Sequence, residues 1–235
     1  MDIKNIENKI IHADCMDILK ELPDKCIDLV LIDPPYEQEM HGGNKLGLAT
    51  SYKVVKNNTE FMNYGYDYEN ILTELIRVCK IPNMIIFCSN SQIAKTMTFF
   101  EDRGLKSTLL IWQKTNPAPL GNGKYISDIE YVVYVRGKGA TFNDVDIKKK
   151  YKIKSYPFVA NKIHPAQKPI ELIKEYIEIH SKENDIILDA FSGSGTTAIA
   201  CHNLKRRFIC IEKDYDYWKA SVERLENVKA QLRLF

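Results

Sequence analysis

The chain alternates apolar runs with amphipathic stretches, and that alternation sets out most of its architecture. Lys9 to His12 is a short strand candidate; Asp14 then stands as the N-cap of a helix from Cys15 to Leu22, which Pro23 ends. Ile27-Asp28-Leu29-Val30-Leu31-Ile32 is almost continuously apolar, the pattern of a strand covered on both faces in a parallel sheet. Asp67 opens a helix with Ile71, Leu72, Leu75, Ile76 and Cys79 on one face, closed by Pro82, and Asn83 to Cys88 is a second buried strand. Ser89 or Asn90 caps a helix that runs to Asp102 and stops at Gly104.

Leu105 to Gln113 and Glu130 to Val135 break the rhythm, because two strands joined by a Pro/Gly/Asn-rich connection suit an antiparallel pair. From Pro169 the alternation resumes: a helix to His180, a strand from Asp185 to Ala190, a helix from Gly195 to Leu204 and a strand from Arg207 to Glu212. Asp214 caps a last helix carrying Tyr217, Trp218, Val222, Leu225 and Val228. The expected fold is α/β and doubly wound, a mostly parallel Rossmann-like sheet with an antiparallel edge hairpin. At 235 residues the chain fits one domain, 1–235, with a short insertion at about 137–161. The polar stretch from Glu37 to about Asn63 is too long for an idle connection and marks a functional or mobile loop.

Composition changes this picture little. Hydrophobic content of 45% and charged content of 27% are globular values, and no apolar run is long enough to cross a bilayer. The N-terminus lacks the apolar core of a signal peptide, so a soluble, cytoplasmic protein is expected. The six cysteines form no CxxC pair and mostly sit in apolar runs as reduced core thiols; the five histidines lack zinc-site spacing, so no metal is expected. Net charge of +2 is too small to announce a nucleic-acid partner. Its distribution says more, because Lys148, Lys149, Lys150, Lys152 and Lys154 gather among Tyr151, Tyr156 and Phe158. Such a segment is either a solvated loop or a surface that neutralises phosphates and stacks on bases.

The candidate chemistry lies in two turns at strand ends. Asp33-Pro34-Pro35-Tyr36 follows the first buried strand and sets an acid, two rigid residues and an aromatic ring where ligands bind in open α/β sheets. Asp189-Ala190-Phe191-Ser192-Gly193-Ser194-Gly195-Thr196-Thr197 links a strand to a helix, with glycines that let a ligand approach the backbone. The next strand ends in Glu212, about twenty residues on, where an acid can bond both hydroxyls of a ribose. No lysine follows the glycines, so the turn is not a P-loop; it leaves NAD and S-adenosylmethionine as cofactors.

Both turns together with His164-Pro165-Ala166-Gln167-Lys168-Pro169 resemble the amino-methyltransferases that modify exocyclic nitrogens of DNA bases. The order, tetrapeptide first and glycine turn last, is similar to that family's β group, which contains many adenine-N6 enzymes. The resemblance implies S-adenosylmethionine as cofactor and double-stranded DNA as partner, and it admits a homodimer and a cognate restriction endonuclease. It implies a site-specific transfer to N6 of a flipped adenine, with Asp33 and the Pro34 carbonyl accepting from the amino group and Tyr36 stacking on the base. Phe191, Gly193 and Gly195, within the turn that also holds Ser192, Ser194 and Thr196, would line the cofactor. Asp189 would lie near its amino group, Glu212 on its ribose, and Asp14, with Ala13 in place of the family's glycine, at its adenine. His164 to Pro169 would close over the methionine end, with Gln167 and Lys168 at the carboxylate.

The resemblance also casts the insertion as a target-recognition segment, with Lys114 to Lys124 as a second contact and the loop from Glu37 as a flap. Cytosine-N4 methylation is the nearest rival, and methylation of RNA or of a protein amide is further off. Outside the class stand a nicotinamide-dependent oxidoreductase, which gives the tetrapeptide no role, and a catalytically silent DNA-binding protein.

Overall fold

The computed structural model describes residues 1–35, 67–117, 125–160 and 163–232. Tyr36, the flap expected from Glu37 and residues 118–124 of the second contact lie outside the described residues. Eight strands form one sheet: β1 (Lys9–His12), β2 (Leu29–Ile32), β3 (Asn83–Cys88), β4 (Lys106–Lys114), β5 (Ile129–Arg136), β6 (Ile153–Tyr156), β7 (Ile186–Asp189) and β8 (Arg207–Glu212). The helices are α1 (Cys15–Glu21), α2 (Tyr68–Val78), α3 (Ile93–Glu101), α4 (Ile170–His180), α5 (Thr196–Asn203) and α6 (Tyr215–Leu232).

The spatial order is β1-β8-β7-β2-β3-β5-β4-β6. The five strands from β1 to β3 are mutually parallel, β5 runs against β3 and β4, and β6 is parallel to β4. Period-2 alternation gives each strand two faces. Val30 and Ile32 pack with α1, α2 and α3 residues such as Leu19, Leu72 and Phe100, while Leu29 and Leu31 pack with Leu172, Tyr176 and Ile199 from α4 and α5. All four β2 residues are at most 2% exposed. Burying each such aliphatic side chain is worth about 1.5–3 kcal/mol, so the loop after β2 springs from a rigid base.

Chain order reverses between β7 and β2: β7 leads to β8 and β1 on one side, β2 to β3 on the other. This is the topological switch point, where open α/β sheets bind ligands. β2 starts later than its apolar run because the Asp28 carboxylate accepts from the Ile186 amide at 2.9 Å and meets Lys80 at 2.8 Å; Ile27 makes only an isolated bridge to Cys79.

Two features depart from the sequence reading. The antiparallel hairpin carries one further strand, β6, on its outer side. That strand was hidden because the inward position of Ile-Lys-Ser-Tyr is a lysine, Lys154, bonded to Glu175. The basic segment is also not a free cationic face: Lys149 pairs with Glu178, Lys150 with Asp144 and Lys154 with Glu175. Its first half crosses the end of the sheet away from Asp33, where the Gly137 amide donates to Pro82 O and the Asn143 side chain to Glu178 O and Ser181 O. Among the described residues no helix is long and apolar enough to cross a membrane.

Candidate active site

Parallel pairing brings the carboxyl ends of β1, β8, β7, β2 and β3 to one edge, and antiparallel pairing adds the start of β5 and the end of β4. Ala13 and Asp14, Glu212, Asp189, Asp33, Ser89, Glu130 and Lys114 therefore share that edge. Asp33 and Asp189, which are far apart in the chain, end neighbouring strands, with Leu29 against Ile187 and Val30 against Leu188.

The glycine turn is fixed from three sides. Asp189 Oδ1 accepts from the Phe191 amide at 3.1 Å, and the Gly195 amide donates to Ser192 O at 2.8 Å. Gly193 and Gly195 take φ values of +47° and +72°, the left-handed region that favours glycine. A Cβ at Gly195 would stand 3.0 Å from Ser221 Cβ, and one at Gly193 would meet the His164 ring at 3.3 Å. Glu212 accepts from the Gly193 amide at 2.7 Å and from the Asp214 amide at 2.8 Å. Behind the turn, Arg224 of α6 donates to Ser194 O at 2.9 Å and Thr196 Oγ1 at 3.1 Å, and the Ser194 and Thr196 hydroxyls lie 3.0 Å apart. The Ser194 carbonyl and the Thr196 hydroxyl thus tie the turn to α6.

Two buried carboxylates face this turn. Burial pushes Asp189 up to about 7 against the hydrogen bonds from Thr197 and Phe191, and the nearby Asp33 and Glu212 charges push the same way. Burial also raises Glu212, opposed by the amides it accepts from. Asp14 caps α1 through the Met16 amide at 2.9 Å and pairs with Lys213 at 2.9 Å; burial works to raise it, and Lys213, the Met16 amide and Lys20 together hold it below the usual carboxylate value.

The His164–Pro169 segment folds over the same turn. The His164 ring lies on Gly193 and meets Tyr217 edge-on at 4.3 Å, and its Nδ1 accepts from the Ala166 amide at 3.1 Å. Pro165 is half-buried beside it. Gln167 Oε1 accepts from the Ile163 amide at 3.1 Å, a bond that closes the local turn. Lys168 reaches to the Asp33 side of the site: Nζ lies 2.5 Å from Asp33 Oδ2, 3.1 Å from Glu130 Oε2 and 4.8 Å from the Phe87 ring centroid. The reason is local charge, since two carboxylates converge where this side chain is buried.

Asp33 is held by partners that sequence reasoning missed. Glu130 bridges Lys168 and Lys114, the latter at 3.1 Å. Gln92 donates to Pro35 O at 3.4 Å, while its Oε1 accepts from the Ser89 amide at 3.0 Å and the Ser89 hydroxyl at 2.9 Å. The signal for Gln92 was present, because Ser89-Asn90-Ser91-Gln92 has capping-box spacing. Glu130 and Arg224 carry no such local mark.

The donor set fits S-adenosylmethionine. Asp189 and Glu212, buried carboxylates with no ion-pair partner among the described residues, suit a ligand with ammonium and sulfonium charges, since a buried anion is costly until paired. The Ser192 hydroxyl is buried with no hydrogen-bond partner among the described residues, a polar group ready for a ligand. Glu212 keeps lone pairs for ribose hydroxyls beyond the two amides it already accepts from.

A family model described as DNA methylase matches residues 27–223. The chain is 30% identical to type II methyltransferase M2.DpnII of Streptococcus pneumoniae, covering 92% of this chain and 89% of that protein. It is 29% identical to type II methyltransferase M2.LlaDCHI of Lactococcus lactis subsp. cremoris, covering 93% and 90%. The crystal structure of the M1.HpyAVI–SAM complex superposes with a TM-score of 0.70 at 28% identity, covering 92% of this chain and 99% of that one. With its two turns on one sheet edge and this likeness over most of its length, the chain belongs to the DNA methylase family and is an S-adenosylmethionine-dependent DNA methyltransferase.

Proposed function

We propose that the chain transfers the methyl group to N6 of an adenine flipped out of double-stranded DNA at a specific sequence. The observation that carries this reading is the parallel pairing of β2 with β7, which sets Asp33 beside the glycine turn at the switch point. An adenine amino group is a poor nucleophile while its lone pair is delocalised into the ring. Asp33 and the Pro34 carbonyl act as two acceptors that favour tetrahedral nitrogen, and the prolines fix that carbonyl before substrate arrives. Gln92 steadies the same loop through Pro35 O.

When bound, S-adenosylmethionine supplies the methyl group as an electrophile on a sulfonium. Phe191, Ser192, Gly193 and Gly195 would line its methionine and ribose, with Glu212 on the ribose hydroxyls, Asp189 at the amino group and Asp14 at the adenine, under the His164–Pro169 segment. Asp33 accepts the proton that nitrogen must shed once the new C–N bond has formed, and passes it to water. Tyr36 stacks on the base, offsetting part of the few kcal/mol that flipping costs.

Target contacts are assigned to the Asp33 edge. There the connection after β4 and the segment after β6 are stitched together: Asn116 Oδ1 accepts from the Phe158 amide at 2.7 Å and Asn116 Nδ2 donates to Phe158 O at 3.3 Å. A cytoplasmic site of action, a homodimer and a cognate restriction endonuclease belong to the same reading.

The test is direct. DNA of mixed sequence is incubated with methyl-labelled S-adenosylmethionine and digested to nucleosides. Label in N6-methyladenine supports the reading, label in N4-methylcytosine replaces it with the cytosine alternative, and no label in DNA overturns both.

A further inference from the structure

We propose that Glu130 is a positioning residue for methyl transfer at Asp33, holding the Lys168 ammonium between two carboxylates; this rests on Asp33 being the acceptor of the target amine. Among the described residues Lys168 Nζ donates to Asp33 Oδ2 at 2.5 Å and to Ala166 O at 3.3 Å, and it forms an ion pair with Glu130 Oε2 at 3.1 Å. Glu130 is held in turn by Lys114 at 3.1 Å. Four charges of alternating sign therefore run from the catalytic acid to the root of the β4–β5 connection.

A buried ammonium on Asp33 alone would compete with the amine for the carboxylate's lone pairs and weaken it as an acceptor. Sharing Lys168 with Glu130 divides that pull and fixes the ammonium on the Oδ2 side. Burial opposes the Lys168 charge, and Asp33 and Glu130 outweigh it; burial likewise opposes the Glu130 charge, and Lys168 and Lys114 outweigh it. Among the described residues, Lys168 ahead of α4, Asp189 at the end of β7, Cys88 at the end of β3 and, through Lys168, Glu130 on β5 face Asp33.

The experiment measures methyl transfer into DNA from about pH 5 to about pH 9 for the wild type, Glu130→Gln, Lys168→Met and Asp33→Ala, with thermal unfolding and cofactor titration alongside. Glu130→Gln is expected to lower kcat on the order of tenfold to a hundredfold, to leave cofactor affinity unchanged and to move the acidic limb of kcat to lower pH. Lys168→Met is expected to move that limb to higher pH, because Asp33 then loses the Lys168 charge while the Asp189 carboxylate beside it remains. A merely structural staple would cost stability without opposite shifts. A Glu130→Gln enzyme with kcat within about twofold of wild type and an unmoved limb overturns the proposal. If Glu130→Gln does not fold, the Glu130→Gln/Lys114→Met double variant, which removes both ends of one ion pair, is held to the same outcomes. Should Asp33→Ala itself transfer at the wild-type rate, the underlying reading fails; an inactive Asp33→Ala beside a wild-type-like Glu130→Gln sinks only the Glu130 proposal.

Discussion

Lys154 and Lys168 are both buried against carboxylates, one at the outer edge of the sheet and one at its switch point. Lys154, 4% exposed, gives its hydrogens to Glu175 and the Lys149 carbonyl, while the Tyr156 hydroxyl takes the other Glu175 oxygen. Lys168, 7% exposed, is shared between Asp33 and Glu130, which remain 18% and 22% exposed. The first cluster is closed on itself and pins β6, whose inward charge also discourages a further strand from adding to the edge. The second leaves a carboxylate at the edge where two chain turns converge. On the proposed reading, like chemistry serves anchoring in one place and reactivity in the other, according to which strand ends lie beside it.

The comparison breaks most sharply at Asp33. Asp33→Ala is expected to lower transfer on the order of a thousandfold or more while cofactor binding, read by calorimetry, stays near wild type; loss of both would place Asp33 among the structural acids with Glu175. At the outer edge the same kind of cut should fall on stability instead. Lys154→Met leaves Glu175 buried beside an apolar side chain and is expected to cost about 3 kcal/mol in denaturant unfolding, with activity per folded molecule unchanged. Replacing Lys154 and Glu175 together by apolar residues should recover most of that loss.

A smaller effect concerns protons. Burial lifts Asp189 from 3.8 to about 7. Between those values the folded, cofactor-free protein holds a proton that the unfolded chain has lost, so its stability falls as pH rises through that window. A cationic ligand favours the ionised carboxylate, and cofactor affinity is therefore expected to rise by up to about tenfold per unit as pH increases toward 7. Calorimetric titration at several pH values checks this, and Asp189→Asn should flatten the profile; a flat wild-type profile would remove Asp189 from the cofactor's charged end.

The smallest effect is expected at the lysine run. Lys148 and Lys152 are exposed and lie before β6, the outermost strand, four places along the sheet from β2 and Asp33. Changing both to alanine should leave the salt dependence of DNA binding unaltered, whereas each lysine that contacted a phosphate would reduce the slope of log K against log salt by about one.

Much of the fold was legible because its signals are local. Apolar runs marked β2, β3, β7 and β8, and Asp14, Asp67 and Asp214 cap helices through their own carboxylates. The two turns were legible for the same reason, as was the acid at the end of β8. β6 was not, because Lys154 occupies its core position and is tolerated only by a glutamate in α4. Glu130, Lys168 and Arg224 took their places through partners distant in sequence, which no window of residues contains.

The sequence by itself determined the strands, the caps, the left-handed glycines and the rigid Asp33 turn, since hydrophobic period and backbone sterics act over a few residues. Only the tertiary structure decided which acids share an edge, which lysines are consumed in pairs and that the buried Ser192 hydroxyl has no partner among the described residues. Those outcomes depend on the pairing of β2 with β7 and of β5 with β3, because charge and hydrogen bonding act through space once the core has brought the strand ends together.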